Sequence, residues 1–276
     1  MSSIKNSNKL ALIISVFLAI LFLIPLLWMF FTSFKSLSES IASPTLLPRN
    51  WTIENYVDLL QKSTDAPMIR WLLNTAIVTT IGTLLVVAFD ILAAYSLARL
   101  NLPFKKVFIL IVIVSMTIPG IVTLFPNFFI MKKMNWIDTF LPLTLIYTAS
   151  STGVYMIYNF LKDFPPELEE ASVMDGASRV QVLFHVVFPS IKPPVATLTV
   201  MTFLAIYNDF LWPSLVTNDI KMKTVTVGVA NLVQGSNFVN PGRMMAATVI
   251  ATLPALVIFL YANKFFVQST TKSGIK

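Results

Sequence analysis

The sequence predicts an all-α integral membrane protein with six transmembrane helices, and three observations predict it. The chain is 56% hydrophobic and only 12% charged, with a mean hydropathy of +0.77. Soluble domains carry about 25% charged residues to cover their surface, so much of this chain must face something other than water. Uncharged runs of bilayer-spanning length, about 20 residues, recur along it. The runs are continuous rather than alternating, which selects helices over barrel strands.

Taken in order, residues 10–31 hold no charge. This run is too long for a signal-peptide core and no small-x-small cleavage site follows it, so it is expected to remain in the mature protein. Residues 71–98 are interrupted only by Asp90, and residues 107–131 and 139–161 are uncharged. Residues 195–216 contain Asp209 alone, and residues 244–263 are clean. An even number of spans places both termini on one side. With the N-terminus inside, 11 of the 20 Lys and Arg residues are cytoplasmic, which favours that topology only weakly. The net charge of +7 reads as loops near anionic lipid and not as a nucleic-acid surface, since no basic-aromatic cluster lies in a soluble segment.

Several chemistries are excluded. With no cysteine, the chain makes no disulfide, thiolate nucleophile or Cys-ligated metal site. His185 is the single histidine and has no nearby Ser-Asp arrangement, so it reads as a buried or interfacial imidazole. None of the eight glycines opens a G-x-x-x-x-G-K-[ST] loop, so ATP is not bound by that route. Neither an internal repeat nor a low-complexity linker is present.

One segment breaks the apolar pattern. Residues 164–194 read FPPELEEASVMDGASRVQVLFHVVFPSIKPP, and five of the thirteen acidic residues lie in or beside it: Asp163, Glu167, Glu169, Glu170 and Asp175. Pro165 and Pro166 suit a first helical turn, where a missing N–H costs nothing. The glutamates after them sit at the positive end of the helix dipole. Leu168, Ala171, Ser172 and Asp175 share a face, and Gly176 is placed to end the helix in the left-handed conformation. Ser178-Arg179-Val180-Gln181 forms a capping-box pattern. The second helix is expected to align Val180, Leu183, Phe184 and Val187 on one stripe and to be limited by Pro189. The result is a slim knob of two short helices. A helix lying on lipid carries Lys and Arg on its polar face; here the first helix is acidic, which favours a docking element for a protein partner.

Glu170-Ala171-Ser172, three residues, Gly176, nine residues, then Val186-Val187-Phe188-Pro189 resembles the EAA signature of ABC importer permeases, which reads E-A-A, three residues, G, nine residues, I-x-L-P. Ser172 replaces the second alanine, Val186 the isoleucine and Phe188 the leucine. Further stretches resemble the maltose-type carbohydrate-uptake permeases. They are Thr32-Ser33-Phe34-Lys35, Leu47-Pro48 and Trp51-Thr52-Ile53-Glu54-Asn55-Tyr56, then Leu73-Asn74-Thr75 and Ala93-Ala94-Tyr95-Ser96-Leu97-Ala98-Arg99. Tyr207-Asn208-Asp209-Phe210-Leu211-Trp212-Pro213 is similar to that family's W-N-E-F-L-x-P.

The resemblance implies the type I ABC importer (MetI-like) permease fold: a single transmembrane domain over 1–276. Residues 1–70 would hold the first span and an extracytoplasmic connection, and 71–263 a five-helix core with a coupling loop at 163–193. Residues 264–276 would form a cytoplasmic tail that touches the ATPases. It further implies a bacterial plasma-membrane location with both termini cytoplasmic and no enzymatic activity of its own. ATP and Mg would sit on a separate ATPase dimer, so no cofactor or metal is expected on this chain. A second permease subunit and an extracytoplasmic sugar-binding protein complete the assembly, embedded in membrane lipid and without nucleic acid. The ATPase-coupling residues would be Glu169, Glu170, Ala171, Ser172, Asp175, Gly176, Ala177 and Pro189.

Tyr207, Asn208 and Asp209 are candidates for the substrate path, because a carboxylate within a span must face protein or a water-filled route. A hydrogen-bond knot between helices is an equally good account of Asp209, and Asp90 reads as structural. Pro25, Pro119, Pro126, Pro142, Pro213 and Pro254 fall within or at the edges of spans, as in transporters built on broken helices. Two rivals stay open: an amino-acid or peptide ABC permease, and an ion-coupled secondary transporter relying on Asp90 and Asp209.

Overall fold

Backbone surrounded by hydrocarbon must satisfy its own N–H and C=O groups, and the apolar runs accordingly become helices. The computed structural model of the chain describes residues 2–42, 45–62, 65–234 and 240–272. Among them there is no strand. The first part of the chain forms α1 (Ser2–Thr32), α2 (Leu37–Ala42) and α3 (Glu54–Val57), the last continuing into a π-helical turn at Asp58–Lys62. Next come α4 (Met68–Arg99), α5 (Lys105–Thr117), α6 (Gly120–Lys133), α7 (Phe140–Leu145) and α8 (Ser151–Lys162). Then follow α9 (Glu167–Met174), α10 (Arg179–Val182), a π-helical turn at Leu183–Val187 and α11 (Phe188–Ser190). The chain ends with α12 (Lys192–Tyr207), α13 (Leu211–Val216), α14 (Val225–Gln234) and α15 (Pro241–Lys272).

Six spans are expected; among the described residues three helices, or up to five if each bent pair counts as one span, are long and apolar enough to cross a bilayer. The three continuous ones are Ala11–Thr32, Met68–Arg99 and Pro241–Ala262. The run at 107–131 is divided into α5 and α6, bent by 98°. Pro119 causes the break, since it holds the preceding Ile118 in an extended conformation (ψ 116°). The run at 139–161 is two helices, each begun by a hydroxyl cap: Thr139 accepts from Leu141 N and Ser150 from Gly153 N. The run at 195–216 is interrupted at residues 208–210, where the ring of Pro213 excludes a helical bond to the carbonyl four residues back. That carbonyl belongs to Asp209, and the Thr226 hydroxyl donates to it instead at 2.8 Å. The Arg179–Ser190 and Lys192–Tyr207 segments meet at a bend of 80°.

The chain divides into two units. One comprises Met1–Ile69 and Gly228–Pro254. Here the end of α1 is tied to α3: the Asn55 amide donates to the carbonyls of Ser33 (2.9 Å) and Lys35 (2.8 Å), and the Ser33 and Tyr56 hydroxyls are 2.6 Å apart. Burial raises the Tyr56 phenol above its ordinary value, so it stays neutral. Phe34 packs against both Trp51 and Tyr56, and Lys35 reaches the carbonyl of Thr45. Thus the Thr32–Lys35 and Trp51–Tyr56 stretches form one knot. Arg243 pairs with Asp58 (2.7 Å) and Asp65 (2.9 Å).

The other unit comprises Arg70–Val227 and Ala255–Lys276. Its larger core joins Ile91, Ala94 and Leu97 of α4, Val154, Ile157 and Leu161 of α8, Val182, Leu183 and Val187 of the second short helix, and Val195 and Leu198 of α12. A smaller core gathers Val78, Leu143, Ile206, Trp212 and Val216. Near the start of α4, Asn74 donates to the carbonyls of Lys221 (2.8 Å) and Lys223 (3.0 Å), and the Thr75 hydroxyl accepts from Val225 N. Asn74 and Thr75 thereby pin the connection before α14.

Candidate functional site

The acidic segment folds as an elbow. Glu167, Glu169 and Glu170 occupy the first turn of α9, and Gly176 follows its C-cap with φ +88°. Ala177 N donates to Ser172 O and Gly176 N to Val173 O, each at 3.0 Å. This pairing is the Schellman closure, which needs a left-handed residue at the glycine position. The next helix starts with a complete capping box: Gln181 N donates to the Ser178 hydroxyl, and Ser178 N donates to the Gln181 side chain at 2.8 Å.

Burial divides the elbow into two faces. Val182, Leu183 and Val187 are buried in the core, while Leu168, Met174, Val180 and Phe184 stand exposed, Met174 at 87% of its surface. The single stripe expected for Val180, Leu183, Phe184 and Val187 is therefore split. The π-helical turn at Leu183–Val187 is the reason, because one extra residue per turn shifts side chains out of α-helical register. Beside Gly176 lies an open cleft of about 470 Å³, lined by Ser172, Asp175, Ala177, Gln181 and His185 among others. Glu170, Ala171, Asp175, Gly176 and Pro189 are exposed, and Ser172 and Ala177 half-buried. The His185 imidazole is exposed, not buried, and Nδ1 lies 3.0 Å from Gln181 O.

Glu169 differs from its neighbours. Its side chain is 4% exposed, and its Oε1 lies 2.5 Å from Nε of Arg99 at the end of α4. Arg99 also donates through Nη2 to Phe164 O at 2.8 Å. The loop position of Glu169 is legible in the sequence, but its partner Arg99 is not, since the two are far apart in the chain. A usable signal was present: Arg99 ends a span and has no carboxylate within reach on its own helix.

Within the spans, the two aspartates have different surroundings. Asp209 Oδ2 accepts from the Tyr147 hydroxyl at 2.5 Å. These two residues line a cavity of about 440 Å³ with Gly120, Thr123, Asn127 and Trp212, at the bend between α5 and α6. Asn208 turns its amide back to Leu204 O, and Tyr207 is buried and stacked on Phe203. Of the three path candidates, Asp209 alone reaches the cavity; Tyr147 and Asn127, which no motif marked, line it too. Asp90 is fully buried on α4, and its Oδ1 accepts from Ser150 N, the N-cap residue of α8, at 2.8 Å. Gly153 lies against it so closely that an added Cβ would run into the Asp90 carboxylate. Among the described residues no group of three His, Cys, Asp or Glu side chains could hold a metal ion.

Comparison with known proteins bears directly on this arrangement. Residues 90–272 match the model of the family described as binding-protein-dependent transport system inner membrane component. The sulfoquinovosyl glycerol transport system permease protein SmoH of Agrobacterium fabrum is 31% identical, over 100% of this chain and 96% of its own length. The inner membrane ABC transporter permease protein YcjP of Escherichia coli K12 is 30% identical, over 93% and 92%. The trehalose/maltose transport system permease protein MalG of Thermococcus litoralis is also 30% identical, over 98% and 97%. A chain of a solved bacterial ABC transporter for import of the polysaccharide alginate superposes with a TM-score of 0.84 at 19% identity, covering 96% of this chain and 98% of that one. A fold of helices broken at prolines, an EAA-type elbow closed by Gly176 and a family match over most of the length agree: the chain belongs to the inner-membrane components of binding-protein-dependent transport systems, as a multi-pass permease subunit of an ABC importer.

Proposed function

We propose that this permease moves a sugar or oligosaccharide inward by ATP-driven alternating access, and that residues 164–190 are its contact with the ATPase. The observation that carries the proposal is the elbow itself. A helix pair with Met174, Val180 and Phe184 exposed on its outer face, next to an open cleft, leaves apolar area that a solvated loop would not keep. The sugar class is supported by the names of relatives that match nearly the whole chain. In this reading the elbow and both termini face the cytoplasm of a bacterium, and ATP and Mg bind the partner subunits. Glu170, Ala171, Ser172, Asp175, Gly176, Ala177 and Pro189 contribute to the docking surface. A second permease and an extracytoplasmic sugar-binding protein complete the complex, and Asp209 with Tyr147 lies along the solute route.

The test is reconstitution of the full complex in liposomes. Addition of sugar-loaded binding protein should raise ATP hydrolysis and drive uptake. Absence of a nucleotide-binding chain from the purified complex would refute the docking assignment. Stimulation by an amino acid or peptide instead of a sugar would refute the substrate class.

A further inference from the structure

We propose that Arg99 and Glu169 form a clasp that makes the coupling elbow and α4 move as one body, with Glu169 a positioning residue and not an ATPase contact. The proposal rests on reading the elbow as the ATPase dock, and it assigns the neighbouring carboxylates to opposite tasks.

The observation behind it is what α9 lacks. Among its eight residues, Glu169 is the one buried side chain; Leu168, Val173 and Met174 all face outward. A helix with no apolar anchor would be free to hinge at Gly176 when a partner pulls on it. The second helix of the elbow needs no such tie, because Val182, Leu183 and Val187 are embedded in the core shared with α4 and α8. So the ion pair is what ties the side chains of α9 to the rest of the permease. It is doubled by the bond from Arg99 to Phe164 O, which fixes the backbone immediately before Pro165.

A buried ion pair is a poor source of stability, since desolvation consumes most of the Coulombic gain. Its contribution is a single geometry. Removing either partner strands a charge at a site 13% exposed on the arginine and 4% on the glutamate. A second tie lies nine residues earlier on α4, about 13 Å along the helix. There Asp90 accepts from Ser150 N at the start of α8, while α8 itself ends at Lys162, just before the segment that Arg99 holds. Helix α4 therefore grips the stretch from Ser150 to Phe164 at both of its ends, and a pull on the elbow displaces α4 and α8 together.

The chain has no cysteine, so paired spin labels can be placed cleanly at Asn101→Cys and at Glu167→Cys on α9, both exposed and outside the residues assigned to the docking surface. In the complete reconstituted complex, the label distance should be the same in nucleotide-free and ATP-bound states. Glu169→Gln should broaden that distance distribution and lower uptake per ATP hydrolysed about five- to tenfold, with the ATPase still bound. The double exchange Arg99→Glu with Glu169→Arg should recover part of the loss that each single exchange shows, which a purely packing role would not. Unchanged uptake per ATP and an unchanged distribution in Glu169→Gln would overturn the clasp, as would a wild-type label distance that shifts on ATP binding. A wild-type complex that contains no ATPase would instead refute the docking assignment, and the Glu169→Gln distribution would still decide the clasp.

Discussion

Replacing Gly176 by valine isolates the conformational demand of the elbow. The glycine sits at φ +88°, and an added Cβ there has nothing within 4 Å. Within this chain the substitution therefore acts through backbone strain, without a steric clash. A non-glycine residue in the left-handed region costs about 1–2 kcal/mol, and β-branching places valine at the upper end. A cost of about 2 kcal/mol corresponds to about a thirtyfold shift in the population of the correct turn. The Schellman bonds from Gly176 N and Ala177 N depend on that turn, so α9 should fray and its outward face lose its fixed orientation. The assay is sugar uptake and ATP hydrolysis by the reconstituted complex at matched expression. Asparagine tolerates the left-handed region, so activity should rank Gly176 above Gly176→Asn, then Gly176→Ala, then Gly176→Val, with insertion into the membrane unaffected. Equal coupling for the Asn and Val variants would refute the reasoning, because no contact in the structure separates them.

Three further outcomes are expected. Asp209→Asn should retain substantial uptake that is insensitive to a protonophore at constant ATP, since an amide oxygen can still accept from Tyr147; abolition in an assembled complex would show that the negative charge is needed. Gly153→Ala should lower the thermal midpoint of the complex, by overpacking of about 1–3 kcal/mol against Asp90; an unchanged midpoint would mean that the α4–α8 contact is loose. Deletion of residues 271–276 should leave pairing with the sister permease intact while lowering coupled ATPase activity, measured on the purified complex. Most of the deleted tail (273–276) lies outside the described residues, so this last expectation stands on the resemblance alone.

Local chemistry was legible in the sequence wherever it depends on neighbours within a few residues. The helical nature of the spans follows from uncharged runs in a solvent without hydrogen-bond partners, and the left-handed turn at Gly176 and the Ser178–Gln181 capping box follow from residue order alone. The breaks were visible as Pro119 and Pro213, though how sharply the chain bends at them was not: 98° between α5 and α6 depends on the surfaces that each half packs against. Tertiary structure decided the pairings. Arg99 with Glu169, Tyr147 with Asp209 and Asp90 with Ser150 join residues 60 or more positions apart, and no periodicity connects them. It also decided which member of a polar run points inward: Glu169 is buried and Glu170 exposed, although both lie in the first turn of one short helix. Composition records that a carboxylate is present, but its partner is set by which helix the folded chain brings alongside, because a buried polar group needs a hydrogen-bonding partner that only the folded chain can deliver.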